Sequence, residues 1–208
     1  MLTIRKSVVA LAVLFLLFSA EAFAQFMVPF TADMSFKSKN GDQMNGKYYV
    51  GNNKIRMDMD THGQQVSMIT DPSTKTSYSI MHKQKMYMEF HAGQNMMQRG
   101  PKMPDLKAYD PNNPCASNPD MTCKNEGSET VNGRSCDKWL FTDKKDGQSW
   151  TAWIDKKLHF PIKTVMSDGS EFDLANVQEG AVPPSTFEVP AGYQKMDMGG
   201  MMGGRMPQ

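Results

Sequence analysis

The chain has 208 residues, with 23 lysines and arginines against 22 aspartates and glutamates, 39% hydrophobic residues and a mean hydropathy of −0.52. This length is sufficient for one domain with a hydrophobic core. The near balance of charge and the lack of a basic run in the sequence argue against nucleic acid as a partner.

The first 24 residues have the pattern of a cleavable signal peptide. Arg5 and Lys6 precede an apolar run over residues 7–18, and Ala22-Phe-Ala24 resembles a small-residue cleavage site. The apolar run is shorter than the roughly 20 residues that span a bilayer, so a cleaved leader is favoured over an uncleaved anchor. We therefore expect an exported chain that starts at residue 25 and has no later transmembrane segment.

The first half of the exported chain predicts an antiparallel meander with one apolar face and one wet face, because apolar residues alternate with polar ones between Gly, Asn, Asp or Pro turns. The six alternating segments carry Ala32, Met34 and Phe36; Met44, Gly46, Tyr48 and Val50; Ile55, Met57 and Met59; Val66 and Met68; Tyr78 and Ile80; and Met86, Met88 and Phe90.

This apolar face leads to an expectation about binding. The sequence offers no long amphipathic helix to cover such a sheet, so the sheet must curl on itself or meet another apolar partner. A curled and incompletely filled sheet encloses a cavity suited to apolar ligands. Chosen by alternation alone, the candidate lining residues are Met34, Phe36, Tyr48, Ile55, Met57, Met68, Ile80, Met88 and Phe90.

Residues 92–122 interrupt the alternation with five prolines and predict a long loop. Two of the three cysteines, Cys115 and Cys123, bracket part of this loop. In an exported protein they are expected to form a disulfide, although Cys123–Cys136 is the alternative pairing. Cys136 would face Glu129 across an Asn132-Gly133 hairpin. A zinc site at these cysteines is disfavoured because no histidine stands at ligand spacing.

Strands resume after the loop, and the Asn132-Gly133 turn marks the clearest hairpin of the sequence. Counting the segments that follow gives about eleven strands in all. We predict a single domain over residues 25–195, followed by a Met- and Gly-rich tail over residues 196–208 that is expected to be disordered.

Methionine is the unusual residue of the chain, with 20 copies, while leucine is rare after the leader. Methionines on the strands can substitute for leucine in the core, or can line a surface that adapts to varied apolar partners. Thioethers are also ligands for Cu(I), so a periplasmic copper-binding protein is the alternative function. The candidate copper ligands are the tail residues Met196, Met198, Met201, Met202 and Met206, with Met57, Met59, Met86, Met88, His82 and His91 as a conceivable second site.

No arrangement of residues in the sequence indicates catalysis. Asp58 and Asp60 are interpreted as a wet strand face rather than an acid–base pair. No Gly-x-Ser-x-Gly nucleophile motif and no phosphate-binding loop occurs. We therefore expect a protein that is not an enzyme and that needs no cofactor, apart from Cu(I) in the alternative.

Several short motifs in the second half resemble a bacterial family of unknown function that is similar to the lipoprotein localisation factors A and B. They are Gly127-x-Glu-x-Val-Asn-Gly133, Cys136-Asp-Lys-Trp139, Trp153-Ile-Asp155, Pro161-Ile-Lys163, and Phe187-Glu-Val-Pro-Ala-Gly-Tyr193 followed by Met196. The resemblance implies a mainly β fold: a half-open antiparallel β-barrel of about eleven strands, with a few short helices and a hydrophobic concave interior.

In the characterised relatives, that interior receives acyl chains of lipoproteins in the periplasm. For this chain the resemblance therefore implies a binding or carrier protein in the periplasm rather than a fully secreted one, whereas the signal peptide alone fits both locations. The expected partners are an acyl chain, a lipid or a lipoprotein, and the protein is expected to act as a monomer.

Overall fold

The structure is a computed structural model that describes residues 28–61, 63–91, 110, 113–116 and 118–196. The predicted leader, residues 92–109 of the predicted loop and the tail methionines Met198, Met201, Met202 and Met206 lie outside the described residues.

Twelve strands form one continuous sheet, as the predicted mainly β fold requires. Their bounds are β1 Phe30–Lys37, β2 Gln43–Gly51, β3 Lys54–Thr61, β4 Gln64–Asp71, β5 Thr76–Met81, β6 Met86–His91, β7 Met121–Val131, β8 Arg134–Asp143, β9 Ser149–Asp155, β10 Phe160–Met166, β11 Glu171–Glu179 and β12 Gln194–Lys195. A 3-10 helix, Pro184–Phe187, is the only helix among the described residues.

The strand order is β12-β6-β5-β4-β3-β2-β1-β11-β10-β9-β8-β7. Every neighbouring pair is antiparallel except β12 and β6, which run parallel. Because β12 and β7 do not pair with each other, the sheet has two edges and the barrel is half open. The predicted half-open β-barrel is confirmed, with β12 added to the eleven expected strands.

Two tight hairpins show how the turns set the strand register. Asn132 and Gly133 have φ values of 50° and 77°, and Asn52 and Asn53 have φ values of 51° and 57°. Two consecutive residues with positive φ fit the type I′ turn, whose twist matches paired strands. The first hairpin pairs Glu129 with Cys136, as expected from the sequence.

The sheet curls toward one face, which we call the inner face. Tyr48 on β2 and Phe160 on β10 lie three strand spacings apart in the order β2-β1-β11-β10, about 14 Å in a flat sheet. Their ring centroids are nevertheless only 5.8 Å apart, and Phe160 also makes an edge contact with Phe30 at 5.5 Å. The aromatic core therefore fills the bend, and the inner face is the concave one.

A second core lies on the opposite, outer face. The segment that follows β11 crosses the outer side of the sheet and packs Val182 and Phe187 against Ile69 and Ile80. Tyr193 joins the same cluster. The prediction that the outer face is exposed to solvent is therefore wrong for β4 and β5, because this segment covers their outer side.

A third cluster closes the β7 end of the sheet. Trp139 and Phe141 are buried there, and Cys115 and Cys123 pack against them. Cys115 and Cys123 form a disulfide with a Cα–Cα distance of 5.7 Å, so the favoured pairing is confirmed. Cys136 is a free, fully buried thiol, and burial raises its pKa to about 11. It is therefore held as an unreactive thiol.

A buried carboxylate closes the turn between β9 and β10. Asp155 is 2% exposed and accepts hydrogen bonds from the backbone N–H groups of Lys157 at 2.8 Å and Leu158 at 2.7 Å. The guanidinium of Arg134 donates to the same carboxylate at 2.5 Å and to Glu179 at 2.9 Å. This network ties the β7–β8 hairpin to the β9–β10 turn.

No helix among the described residues is long and apolar enough to cross a membrane.

Candidate apolar binding face

The register of the sheet places apolar side chains in rows across the inner face. One row runs from β1 to β6 through Ala32, Tyr48, Met57, Met68, Ser79 and Met88. The next row contains Met34, Gly46, Met59, Val66, Met81 and Met86. Directly paired residues in an antiparallel sheet have Cβ atoms about 5 Å apart, so the methionines of neighbouring strands are in reach of one another.

Burial divides this inner face into two halves. Near β1 and β2 the face is filled, since Met34, Tyr48 and Ile55 are 3–4% exposed and belong to the aromatic core. Beyond Ile55, the inward-facing apolar side chains of β3 to β6 are only partly buried. We call this second half the methionine face and define it by Met57, Met59, Met68, Met81, Met86 and Met88, with Val66 and Phe90 beside them.

The charged residues of β3 point away from the methionine face. Arg56 and Asp58 alternate with Met57 and Met59 and form an ion pair at 2.6 Å on the outer side. The side chains defined as the methionine face are all uncharged. An apolar ligand on this surface would therefore leave no ionised group of that set without water, which avoids a large desolvation cost.

Eight of the nine residues predicted to line a cavity share the inner face: Met34, Phe36, Tyr48, Ile55, Met57, Met68, Met88 and Phe90. Three of these, Met34, Tyr48 and Ile55, are core residues with almost no exposed surface. The partly exposed members are Phe36, Met57, Met68, Met88 and Phe90.

The ninth residue, Ile80, lies on the outer face, so its predicted place beside Met68 and Met88 is wrong. Ile80 pairs with Ser67 and is fully buried beneath the segment that carries Phe187. Tyr78 and Ile80 of β5 face outward, where this segment packs against them. Alternation reports which residues share a face but does not report which face is inside.

Met59, Met81 and Met86 were not among the predicted lining residues although they belong to the methionine face. Met59 and Met86 stand at apolar positions of their alternating segments, so the sequence did contain their signal. Met81 directly follows Ile80 and has the opposite parity. Only the pairing of Met81 with Met86 places it on the inner side.

His82 and His91 do not join the methionines. The Nε2 atom of His82 lies 2.6 Å from Ser67 Oγ, and its Nδ1 atom lies 2.9 Å from Tyr193 Oη on the outer side. His91 Nε2 lies 3.2 Å from Glu89, which is also an outer residue. The second copper site that combined these histidines with strand methionines is therefore wrong. The tail copper site stays a prediction.

A polar cluster of Arg56, Asp58 and Ser67 on the outer face has a structural role. Ser67 is 1% exposed and donates a hydrogen bond to Asp58 at 2.6 Å. Arg56 donates to Ser67 at 3.0 Å and to the carbonyl oxygen of Thr186 at 2.9 Å. A nucleophilic serine needs access to a substrate and a base that is oriented by a further group. Here the serine is buried, and the cluster anchors the covering segment to the sheet.

The family model of a domain of unknown function, DUF4412, matches residues 31–159, more than half of the chain. The chain belongs to this family. The predicted membership in a bacterial family of unknown function is thereby confirmed. No curated protein matches the sequence of this DUF4412 member.

Several solved structures are similar to it at low sequence identity, and those with TM-scores above 0.5 share its fold. An uncharacterized conserved protein from Thermus thermophilus has a TM-score of 0.54 and 9% identity over 82% of this chain and 90% of that chain. PNGF-II has a TM-score of 0.51 and 6% identity over 84% of this chain and 32% of that longer chain. A LolA superfamily protein from Nitrosomonas europaea is similar at a TM-score of 0.38 and 10% identity, over 80% of this chain and 91% of that chain.

Proposed function

We propose that this DUF4412 protein is an exported, non-enzymatic binding or carrier protein whose methionine face accepts an acyl chain of a lipid or lipoprotein. The observation that carries the proposal is a partly exposed, uncharged apolar surface on the concave side of a half-open barrel. Large exposed apolar surfaces commonly mark binding sites. Lipoprotein is the partner that the resemblance to the localisation factors implies.

Methionine suits such a site because its unbranched thioether side chain adapts to partners of varied shape. Burial of apolar surface contributes about 0.8 kcal/mol per methylene, so about ten buried methylenes would contribute roughly 8 kcal/mol before the entropic costs of association. Binding of this kind is passive and needs neither a catalytic group nor a cofactor.

The proposed location is the periplasm, with the protein acting as a monomer. The Cys115–Cys123 disulfide supports export, since such bonds persist in oxidising compartments. The leader pattern of residues 1–24 supports the same route.

Met57→Asp and Met88→Asp test the proposed site. Each places a charge on the methionine face, where ligand burial would strip its water, so we expect uptake of a fluorescent long-chain fatty acid to fall at least tenfold. The measurement is a fluorescence titration of the exported protein, with circular dichroism to verify the fold.

Leu140→Asp is the matched control. Leu140 is half buried and pairs with Lys124 and Thr151 in a row of the outer face, far from the methionine face. This variant introduces the same charge and should keep the affinity of the parent protein. Unchanged uptake by Met57→Asp and Met88→Asp would reject the methionine face as the site.

A further inference from the structure

The C-terminal end of the described chain leads onto the methionine face. Strand β12 pairs in parallel with β6, with Gln194 beside Met86 and Lys195 beside Tyr87. The backbone N–H of Met196 donates to the carbonyl oxygen of Tyr87 at 2.8 Å, so the extended chain continues past Lys195.

Side-chain alternation places Met196 on the inner side. Lys195 forms an ion pair with Glu89 at 2.5 Å on the outer face. Successive side chains of a strand point to opposite faces, so Met196 faces inward with Met86 and Met88. It is partly buried, whereas Gln194 and Lys195 are exposed.

The direction of β12 also favours continued contact with β6. Because the two strands are parallel, β12 runs in the same direction as β6, from the side of Met86 toward the side of Phe90. Among the described residues, the β12–β6 ladder pairs Gln194 with Met86 and Lys195 with Tyr87, and no other described strand pairs with this edge of β6.

The length and composition of residues 197–208 fit the methionine face. This twelve-residue segment contains Met198, Met201, Met202 and Met206, separated by glycines, and its charged residues are Asp197 and Arg205. An extended chain covers about 3.3 Å per residue, so the segment can reach roughly 40 Å. The four strands that carry the methionine face span about 15 Å.

We propose that residues 197–208 dock on the methionine face of the same molecule and cover it when no ligand is bound. Thioether groups of the tail then pack on thioether groups of β3 to β6, which removes both apolar surfaces from water. The glycines allow the tail backbone to approach the sheet closely. This inference extends the proposed function, because a ligand of the same face must displace the tail before it binds.

The docking is tested without a ligand by oxidising the protein with dilute hydrogen peroxide and measuring sulfoxide at each methionine by peptide mass spectrometry. The exported chain is compared with a variant that ends at Met196. We expect Met57, Met68 and Met88 to oxidise several-fold faster in the shortened chain, because the tail shields them in the full chain. Buried Met34, which is 4% exposed, should oxidise slowly in both.

Two full-length variants test whether the shielding depends on the methionines of the tail or only on the length of the tail. Replacing Met198, Met201, Met202 and Met206 by glutamine should expose the face as the truncation does. The paired substitutions Asp197→Asn and Arg205→Gln keep the methionines and should preserve the shielding. Equal oxidation rates at Met57, Met68 and Met88 in the full and shortened chains would overturn the docking.

Titration with a fluorescent long-chain fatty acid then separates the two proposals. A competing tail lowers the apparent affinity in proportion to the fraction of molecules with an open face, so the shortened chain should bind several-fold more tightly. If neither chain binds the probe and the shielding still depends on the tail, the docking stands and the acyl function fails. If both chains bind the probe equally and the shielding is equal, the acyl function stands and the docking fails.

Discussion

At the residue scale, the same side-chain type has different roles according to its burial. Met34 is 4% exposed and packs with Leu174 in the core, whereas Met57 and Met88 remain partly exposed one row away. A count of methionines could not distinguish these roles, because both positions alternate correctly in the sequence. The difference arises from the aromatic rings of β2 and β10, which fill only one half of the inner face.

Asp155→Asn probes the buried ion pair. Burial alone raises the pKa of Asp155, but the hydrogen bonds from Arg134, Leu158 and Lys157 outweigh it and hold the pKa below the usual value. The ionised carboxylate therefore stabilises the fold, and breaking a buried pair typically costs at least about 3 kcal/mol. We expect a loss of this order in the free energy of unfolding at pH 7, measured by urea denaturation.

The pH dependence of this loss has a defined sign. A carboxyl group whose pKa is lowered in the folded state contributes its full stability above its unfolded pKa of about 3.9 and loses it as the pH falls through the folded value. The parent protein and Asp155→Asn should therefore converge in stability as the pH is lowered below about 4. Asp146→Asn in an exposed turn is the control and should change stability by less than about 0.5 kcal/mol. A pH-independent difference for Asp155→Asn would contradict this account.

At the scale of elements, the segment between β11 and β12 covers the outer face of β4 and β5. The alternation of apolar residues within strands could not predict this cover. In the sequence the segment's Phe187-to-Tyr193 motif carries the family resemblance, and in the structure the same motif packs over β4 and β5 in the outer core. Phe187 also contacts the backbone of β2, since a Cβ added to Gly51 would lie 3.2 Å from its ring. Such contacts join residues more than a hundred positions apart, so no local pattern encodes them.

Phe187→Ala tests the covering segment. The side chain is 3% exposed, and removal of a buried phenylalanine typically costs about 3–5 kcal/mol. We expect a loss of this size in the free energy of unfolding, together with faster amide hydrogen exchange in β4 and β5. Ser185→Ala, an exposed neighbour in the same 3-10 helix, should leave both quantities unchanged. Exchange rates in β4 and β5 that match the parent protein would show that the segment does not protect them.

The strands themselves were largely predictable, and the exceptions have physical reasons. Alternation located β1 to β6, and the Asn132-Gly133 turn located the β7–β8 hairpin. Strand β7 begins at Met121 rather than near Ser128, because most of its residues are exposed and polar and give no alternating signal. In β5, alternation predicts the wrong face for Ile80, because the segment that carries Phe187 covers the outer side of this strand.

At the scale of the whole molecule, the curl of the sheet could be predicted only from the family resemblance and from the need to bury one apolar face. No local sequence pattern predicts it. The ring contacts of Tyr48 and Phe160 show why: they depend on strands far apart in sequence. The disulfide could be favoured from sequence because its cysteines are only 8 positions apart. The partly exposed methionine face could be located only from the register of four strands together with the burial of their side chains.

The most direct test of the central claim is native mass spectrometry of residues 25–208 and of a chain ending at Met196, both purified from an exporting host. We predict a bound acyl lipid that extracts into organic solvent, at higher occupancy in the shortened chain and absent from Met88→Asp. If both chains are bare, or carry only copper, after export and lipid exposure, the claim that the methionine face holds an acyl chain is contradicted.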